Sequence, residues 1–116
     1  MIRRKRAYEP PSNGDGVRVL VDRPWLREIS KERAAIHLWL REIAPSAELR
    51  EWFGHDPARW EEFRQGYRAE LSGKPDLIRT LGEIEGAGPL TLVYAARGDA
   101  RNNAVALKEF PGEGAG

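Results

Sequence analysis

The chain has 116 residues, of which 41% are hydrophobic and 32% are charged, a balance typical of one globular domain with a core and not of a disordered chain. Its net charge of +1 gives no overall field that would attract nucleic acid or a membrane surface. Cysteine is absent, which excludes disulfides and thiolate chemistry. No apolar run is long enough for a membrane span or a signal peptide, so we expect a soluble cytoplasmic protein.

Two strands are predicted in the first quarter of the chain. Residues 2–8 indicate a short strand whose basic run, Arg3–Arg6, suits the edge of a sheet, with a phosphate-binding stripe as the alternative. After a loop of turn-forming residues at 9–16, the apolar run Val17–Val21 predicts a central strand. Three charged residues and a tryptophan then follow: Asp22, Arg23, Trp25 and Arg27. Such residues at the end of a central strand are costly unless they pair with one another or with a ligand.

Two helices are predicted directly after this strand. Apolar residues at helical spacing, preceded by the N-cap Ser30, predict a first helix from Lys31 to Ile43. Ser46 then caps a short second helix, which Gly54 ends in a left-handed conformation.

The second half of the chain is predicted to contain two longer helices, a strand and a final helix. An aspartate before a proline at 56–57 starts the third helix, which residues 73–75 break, and the fourth helix ends near Gly86. The uncharged run Leu90–Ala96 is typical of a strand buried on both faces, and a tight turn at 97–99 leads into the last helix.

Together these elements predict an α/β fold, with a small, mostly parallel sheet of about three strands flanked by about five helices. Residues 1–110 form a single domain in this prediction, and residues 111–116 form a flexible C-terminal tail. If the strands at 17–21 and 90–96 are parallel neighbours, the helices between them form a right-handed crossover. Both strands then end at one edge of the sheet, where open α/β sheets bind their ligands.

The residues expected at this shared edge are mostly polar. They are Asp22, Arg23, Trp25, Arg27, Tyr94, the 97–99 turn, Asn102 and Asn103. Arg23 and Arg27 are suited to bidentate recognition of phosphate or carboxylate, beside the N–H groups of the last helix's first turn. The alternative is structural: Asp22 pairs with one of the arginines, and the asparagines satisfy the turn.

Three residues are candidates for proton transfer at this edge: Asp22, His55 and Tyr94. His55 lies in a predicted turn between helices, where a neutral imidazole can act as a base, and a capping or exposed histidine is the alternative. His37 and His55 are the two histidines of the chain and lack metal-binding spacing, so no metal site and no cofactor are predicted.

Several motifs resemble those of one known family over nearly the whole chain. In the first half they are Asp22–Arg27, Trp39, Ile43–Ser46, Leu49–Arg50, Trp52–Phe53 and His55. In the second half they are Trp60–Phe63, Tyr67, Glu70–Leu71, Leu92–Tyr94 and Asn102–Leu107. This combination resembles the YeaO-like family of small bacterial proteins, also called domain of unknown function 488. The resemblance implies a single-domain α/β protein of a bacterial or archaeal cytoplasm and no particular activity.

The resemblance also bears on the proposed site. Two further residues that match family motifs, Ser46 and Arg50, complete the set of expected ligand-binding residues: Arg23, Trp25, Arg27, Ser46, Arg50, Asn102 and Asn103. One segment departs from the family pattern, because Pro24 and Leu26 are exchanged and Glu28 replaces a glycine. Glutamate adopts positive φ poorly and adds a negative charge, so we expect the departure to weaken an anion pocket.

The sequence supports two functional hypotheses. The first is a small protein that binds, or acts on, an anion bearing phosphate or carboxylate at the carboxyl ends of the strands. The alternative is a non-enzymatic module that binds nucleic acid or an acidic protein through its basic N-terminal quarter. Nucleic acid is the less favoured partner, and no membrane partner is expected. Binding to a phosphate backbone should weaken steeply with salt, which separates the two hypotheses.

Overall fold

The structure, a computed structural model, describes residues 2–24, 29–54, 56–95 and 102–114. Within these residues the strands are β1 (Ile2–Arg6), β2 (Val17–Leu20), β3 (Leu38–Trp39) and β4 (Leu90–Tyr94). The helices are α1 (Lys31–Ala34), α2 (Ala47–Phe53), α3 (Trp60–Ser72), α4 (Pro75–Ala87) and α5 (Asn103–Gly114). Short 3₁₀ turns lie at 13–15, 41–43 and 57–59.

The described strands form one parallel sheet in the order β1-β4-β2-β3. β2 and β4 are therefore parallel neighbours, the arrangement on which the shared edge of the predicted site depends, and β1 lies at an edge, where its basic run was expected. Leu90 at the start of β4 lies opposite Ile2 of β1 on one side and Val17 of β2 on the other. The α/β fold class is confirmed, with β3 as a short fourth strand beyond the three expected.

Side chains pack on both faces of this sheet. The main core lies between the sheet and helices α2 to α5, and the minor core (Ala7, Leu20, Ala34 and Val93) lies on the opposite face. The main core consists of Val19, Val21, Ile43, Phe53, Phe63, Tyr67, Leu71, Leu81, Leu90, Leu92, Tyr94, Ala104, Ala106 and Leu107. β4 contributes to both cores and is buried along its whole length. This burial on both faces is what the uncharged run of the strand predicts.

The segment 31–43 does not form the predicted helix. α1 ends at Ala34, Ala35 adopts a left-handed φ of 52°, and the chain then forms β3 beside β2. The guanidinium of Arg18 donates to the Ala34 carbonyl through Nε (3.1 Å) and Nη2 (2.9 Å). A longer helix would use that carbonyl for its next turn. The prediction is wrong because β2 needs a hydrogen-bonded neighbour at its second edge. The apolar residues that were expected on one face of a helix instead form β3 and the following turn.

The second and third predicted helices are present with their predicted end signals. Ser46 Oγ accepts a hydrogen bond from the Leu49 N–H (3.1 Å) at the start of α2, and Gly54 ends that helix with a left-handed φ of 53°. Asp56 Oδ1 accepts from the Ala58 N–H (3.0 Å) and begins the turn that leads into α3. The predicted and observed helix ends agree because capping depends on residues only two or three positions apart.

The fourth and fifth predicted helices are also present. α4 ends at Ala87, next to the predicted end, and α5 continues to Gly114. α5 thus includes residues 111–114 of the segment that the sequence assigned to a tail, and residues 115–116 lie outside the described part of the chain. The domain boundary at residue 110 stays a prediction. None of the helices in the described residues is long and apolar enough to cross a membrane.

Candidate functional site

A hollow of about 540 Å³ lies at the carboxyl ends of β2 and β4, beside the first turn of α5. Half of the residues that line it are polar or charged, namely Asp22, Arg23, Arg50, Glu51, Asn102 and Asn103. The other half are apolar and come from the ends of β2 and β4, the segment before α2, and the helices α2 and α3. The hollow is at the edge of the sheet where the sequence predicts a site.

Asp22 joins three separate segments at this edge. Its Oδ2 accepts a hydrogen bond from the Ala95 N–H (2.8 Å), and its Oδ1 accepts from Asn103 Nδ2 (3.0 Å). The same Asn103 nitrogen also donates to the carbonyl of Val21 (2.9 Å). The carboxylate therefore ties the end of β2 to the end of β4 and to the start of α5. Among the described contacts it makes no ion pair with Arg23, which was one form of the structural alternative.

The buried position of Asp22 affects the pKa of its carboxyl. Burial raises the pKa of the Asp22 carboxyl above its ordinary value, because the charged form loses solvent. The hydrogen bonds from Ala95 and Asn103 and the positive charge of Arg50 oppose that rise. Arg50 and Asp22 both line the hollow.

The two asparagines organise the start of α5. Asn102 is almost fully buried, and its Oδ1 accepts a hydrogen bond from the Val105 N–H (3.0 Å), which makes it the N-cap of the helix. Asn103 binds Val21 and Asp22, as described above. Both asparagines line the hollow, so the positive end of the α5 dipole borders it. These contacts are structural, as the alternative for the asparagines in the sequence analysis states.

Two arginines face the hollow from different elements. Arg23 follows β2 and makes a loose ion pair with the exposed Glu42 (Nη1 to Oε2, 3.7 Å), while its buried Nε has no hydrogen-bond partner among the described residues. Arg50 lies on α2 and is exposed, and no hydrogen bond to its guanidinium is present within the described part of the chain. Both cations are therefore available to a ligand.

Two other predicted site residues lie away from the hollow. Ser46 donates from its Oγ (2.7 Å) and its N–H (2.9 Å) to the carboxylate of Glu70, in addition to capping α2. Tyr94 is 1% exposed and packs in the main core. Neither side chain lines the hollow. The predicted residues Trp25, Arg27 and His55, and the turn at 97–99, lie outside the described residues.

The sequence interpretation did not assign the apolar wall of the site. Phe53 and Phe63 line the hollow with their rings stacked, 4.5 Å between centroids at an interplanar angle of 23°. Both residues belong to apolar helical stripes, which predict core positions and carry no sign of a pocket. Ala44 and Pro45 also belong to this wall. The only available signal was their place immediately before the N-cap of α2, where the chain turns.

The buried Tyr67 binds the backbone next to this apolar wall. The hydroxyl of Tyr67 donates to the carbonyl of Ile43 (2.5 Å), next to Ala44. Burial raises the pKa of Tyr67 far above its ordinary value, and the negative charges of Asp22 and Glu70 add to that rise. The hydroxyl thus stays protonated and holds the Ile43 carbonyl in place.

The basic N-terminal quarter is partly neutralised inside the protein. Asp15 Oδ2 accepts from Arg18 Nη1 at 2.6 Å, and both Asp15 oxygens contact Lys5 Nζ, at 3.2 and 3.3 Å. Arg18 and Asp15 are only 2% and 3% exposed. Burial by itself would raise the pKa of Asp15, but the hydrogen bonds from Ser12, Lys5 and Arg18 lower it well below its usual range. These two cations are therefore committed to the fold.

The described residues contain no group of three or more histidine, aspartate and glutamate side chains placed to hold a metal ion.

Comparison with known proteins gives a consistent result. A family model described as the inactive DUF488-N3 subclade matches residues 1–113. The chain is 39% identical over 109 residues to the uncharacterised protein YeaO of Escherichia coli (strain K12), covering 94% of this chain and 95% of that protein. It is 40% identical over 109 residues to the uncharacterised protein Rv3073c of Mycobacterium tuberculosis (strain ATCC 25618 / H37Rv), covering 94% and 92%. No solved structure matches significantly.

Proposed function

This chain belongs to the YeaO-like DUF488 family and matches its inactive DUF488-N3 subclade, and from that premise we propose that it binds a small anion without transforming it. Membership confirms the resemblance indicated by the sequence motifs. The description of the subclade as inactive favours binding over catalysis. The local contacts point the same way, because Asp22 holds the backbone together and Tyr94 is buried in the core.

The observation that carries the proposal is the pair of arginines at one hollow. Arg23 and Arg50 come from different elements, and neither guanidinium is saturated by hydrogen bonds among the described residues. A guanidinium group presents a planar set of donors that matches a carboxylate or a phosphate. The first turn of α5 lies beside them and adds partial positive charge.

The acidic residues of the hollow are compatible with this function. Asp22 already accepts hydrogen bonds from Ala95 and Asn103, and burial raises the pKa of its carboxyl above the ordinary value. Glu51 is exposed to solvent, so its charge is better screened than that of a buried group. An anion that contacts both arginines therefore meets less repulsion than the formal charges suggest.

A thermal-unfolding titration tests the proposal. The wild type is titrated with inorganic phosphate and with phenyl phosphate at low ionic strength, and the same is done for Arg23→Ala and Arg50→Ala. A ligand at ten times its dissociation constant stabilises the fold by about 1.4 kcal/mol, which raises the melting temperature of a domain this size by about 6 °C. We expect each arginine variant to lose most of this rise.

Arg79→Ala is the matched control, because Arg79 lies on α4, is 67% exposed and pairs with Asp76 away from the hollow. It removes the same charge and should keep the full response. If neither phosphate compound stabilises the wild type, or if Arg79→Ala and Arg50→Ala behave alike, the proposed function is wrong.

The alternative function, binding of nucleic acid or an acidic protein by the N-terminal quarter, is less favoured. Asp15 engages Lys5 and Arg18 inside the fold, which removes two cations from that surface. Binding of a short oligonucleotide with a steep, linear dependence of log affinity on log salt would favour it over the anion site. We also propose, from the sequence, that the protein is located in the cytoplasm.

A further inference from the structure

We infer that the hollow takes an amphipathic anion: one carboxylate or phosphate group attached to a flat apolar body, such as an aromatic ring. The inference rests on the proposed function and narrows its ligand class. It follows from three features of the hollow, namely its size, the division of its wall and the balance of its charges.

The size of the hollow exceeds what a simple anion needs. Its volume of about 540 Å³ lies within the range of about 300–1,000 Å³ that is usual for sites of organic ligands. Inorganic phosphate or acetate would fill only a small part of this space. A ligand with an organic body would fill more of it and remove its own apolar surface from water.

The wall is apolar on one side and cationic on the other. Phe53 and Phe63 stack on each other, and Trp60 stacks on Phe63 with 5.6 Å between centroids. Packing against Trp60 therefore holds the aromatic side of the hollow in place. A preformed surface lowers the ordering cost of binding a ligand. Arg23 and Arg50 provide the polar contacts. An apolar body against the phenylalanines and an anionic group at the arginines would satisfy both sides at once.

The charges of the hollow favour one anionic group over several. Arg23 and Arg50 are accompanied by Asp22 and Glu51 in the same lining. The formal charges of these four side chains cancel, so a single anionic group adds one uncompensated charge to the hollow, and a second anionic group would be repelled by the first. This balance disfavours a polyphosphate or a nucleic acid backbone at the hollow.

Isothermal titration of three matched compounds tests the inference. Phenyl phosphate carries both parts of the expected ligand, inorganic phosphate carries only the anion, and benzyl alcohol carries only the ring with a neutral polar group. We expect phenyl phosphate to bind the wild type at least about tenfold more tightly than either of the other two. Benzoate against acetate repeats the comparison with a carboxylate.

A variant pair locates the apolar contact. Phe53→Leu removes an aromatic ring from the hollow and should reduce the preference for phenyl phosphate over inorganic phosphate severalfold. Trp52→Leu is its control, since Trp52 is the preceding residue of α2, is partly exposed, and has the guanidinium of Arg59 over its ring at 5.3 Å instead of lining the hollow. This control should retain the wild-type preference.

The outcomes separate the inference from the proposed function. Equal, arginine-dependent binding of phenyl phosphate and inorganic phosphate would overturn the inference and leave the proposed function intact. Binding of benzyl alcohol as tight as that of phenyl phosphate would overturn both, and so would a lack of binding by all the anions. The wild-type ratio decides the question even if Phe53→Leu fails to fold.

Discussion

Removal of the Asp22 carboxylate should destabilise the whole sheet edge. In Asp22→Ala the Ala95 N–H loses its acceptor, and Asn103 keeps its bond to the Val21 carbonyl but loses the bond to the carboxylate. Hydrogen bonds to a charged group contribute about 1.5–3 kcal/mol each, and an unsatisfied buried donor costs about 1–3 kcal/mol. Relief of the buried charge offsets part of the loss, because burial raises the pKa of Asp22. We expect a net loss of about 2–3 kcal/mol in the free energy of unfolding.

The assay is thermal and urea unfolding followed by circular dichroism. For 116 residues the unfolding entropy is about 0.24 kcal/mol/K, so this loss lowers the melting temperature by about 8–12 °C. Asp22→Asn should lose about half as much, since it retains one acceptor but turns an amide N–H toward a donor. Glu83→Ala, an exposed change on α4, serves as the control and should stay within about 0.5 kcal/mol of wild type. A melting temperature for Asp22→Ala within about 2 °C of wild type would refute the role of Asp22 as a junction between the two strands and α5.

Three further predictions concern the other buried polar groups. Arg18→Met should lower the free energy of unfolding in urea by about 3–5 kcal/mol, because it removes the buried cation paired with Asp15 and the side-chain donor to the Ala34 carbonyl; a loss below 1 kcal/mol would contradict it. Asp15 has a lowered pKa in the folded state, so its stabilisation is complete above the ordinary value of 3.8 and is lost as the pH falls below that value. Asp15→Asn should therefore be less stable than wild type at pH 6, and the difference should shrink toward pH 2; a constant difference would count against the shift. Tyr67→Phe should cost about 1–2 kcal/mol through the lost bond to the Ile43 carbonyl, and calorimetry showing no change would exclude that bond as a support.

Local signals in the sequence predicted most of the helices and strands. Ser46, Gly54 and Asp56 act at the helix ends as their residue types indicate, because each bond joins residues that are near neighbours in the chain. The uncharged run Leu90–Tyr94 predicted a strand buried on both faces, which is typical of parallel strands, and β4 is buried and pairs in parallel with β2.

The segment 31–43 shows where local signals fail. Apolar residues at helical spacing also suit a short strand followed by a turn, and the distinction depends on β2, whose second edge requires a partner. The hydrogen bonds from the Arg18 guanidinium to the Ala34 carbonyl favour the strand over the longer helix. Arg18 and Ala34 are separated by 16 residues, so no local pattern could reveal their contact.

The candidate site was predicted in part. The expected meeting of Asp22, Arg23, Asn102 and Asn103 at one edge agrees with the structure, because the topology of a parallel sheet brings strand ends together. Arg50 entered only through the family resemblance. Asp22 and Asn102 each accept a hydrogen bond from a backbone N–H group, and their predicted roles toward a ligand stay predictions.

Outside the segment 31–43, residue order by itself determined most of the kinds of element, their caps and the edge of the sheet at which polar side chains collect, because these depend on short-range periodicity and on chain connectivity. Tertiary structure alone decided which polar atoms are consumed by the fold and which stay open. The carboxylate of Asp22 and the amide of Asn103 satisfy each other across 81 residues, whereas the buried Nε of Arg23 finds no acceptor among the described residues. Hydrogen-bond partners are chosen by distance in space, so a hollow lined by two arginines and two stacked phenylalanines becomes visible only in the folded chain.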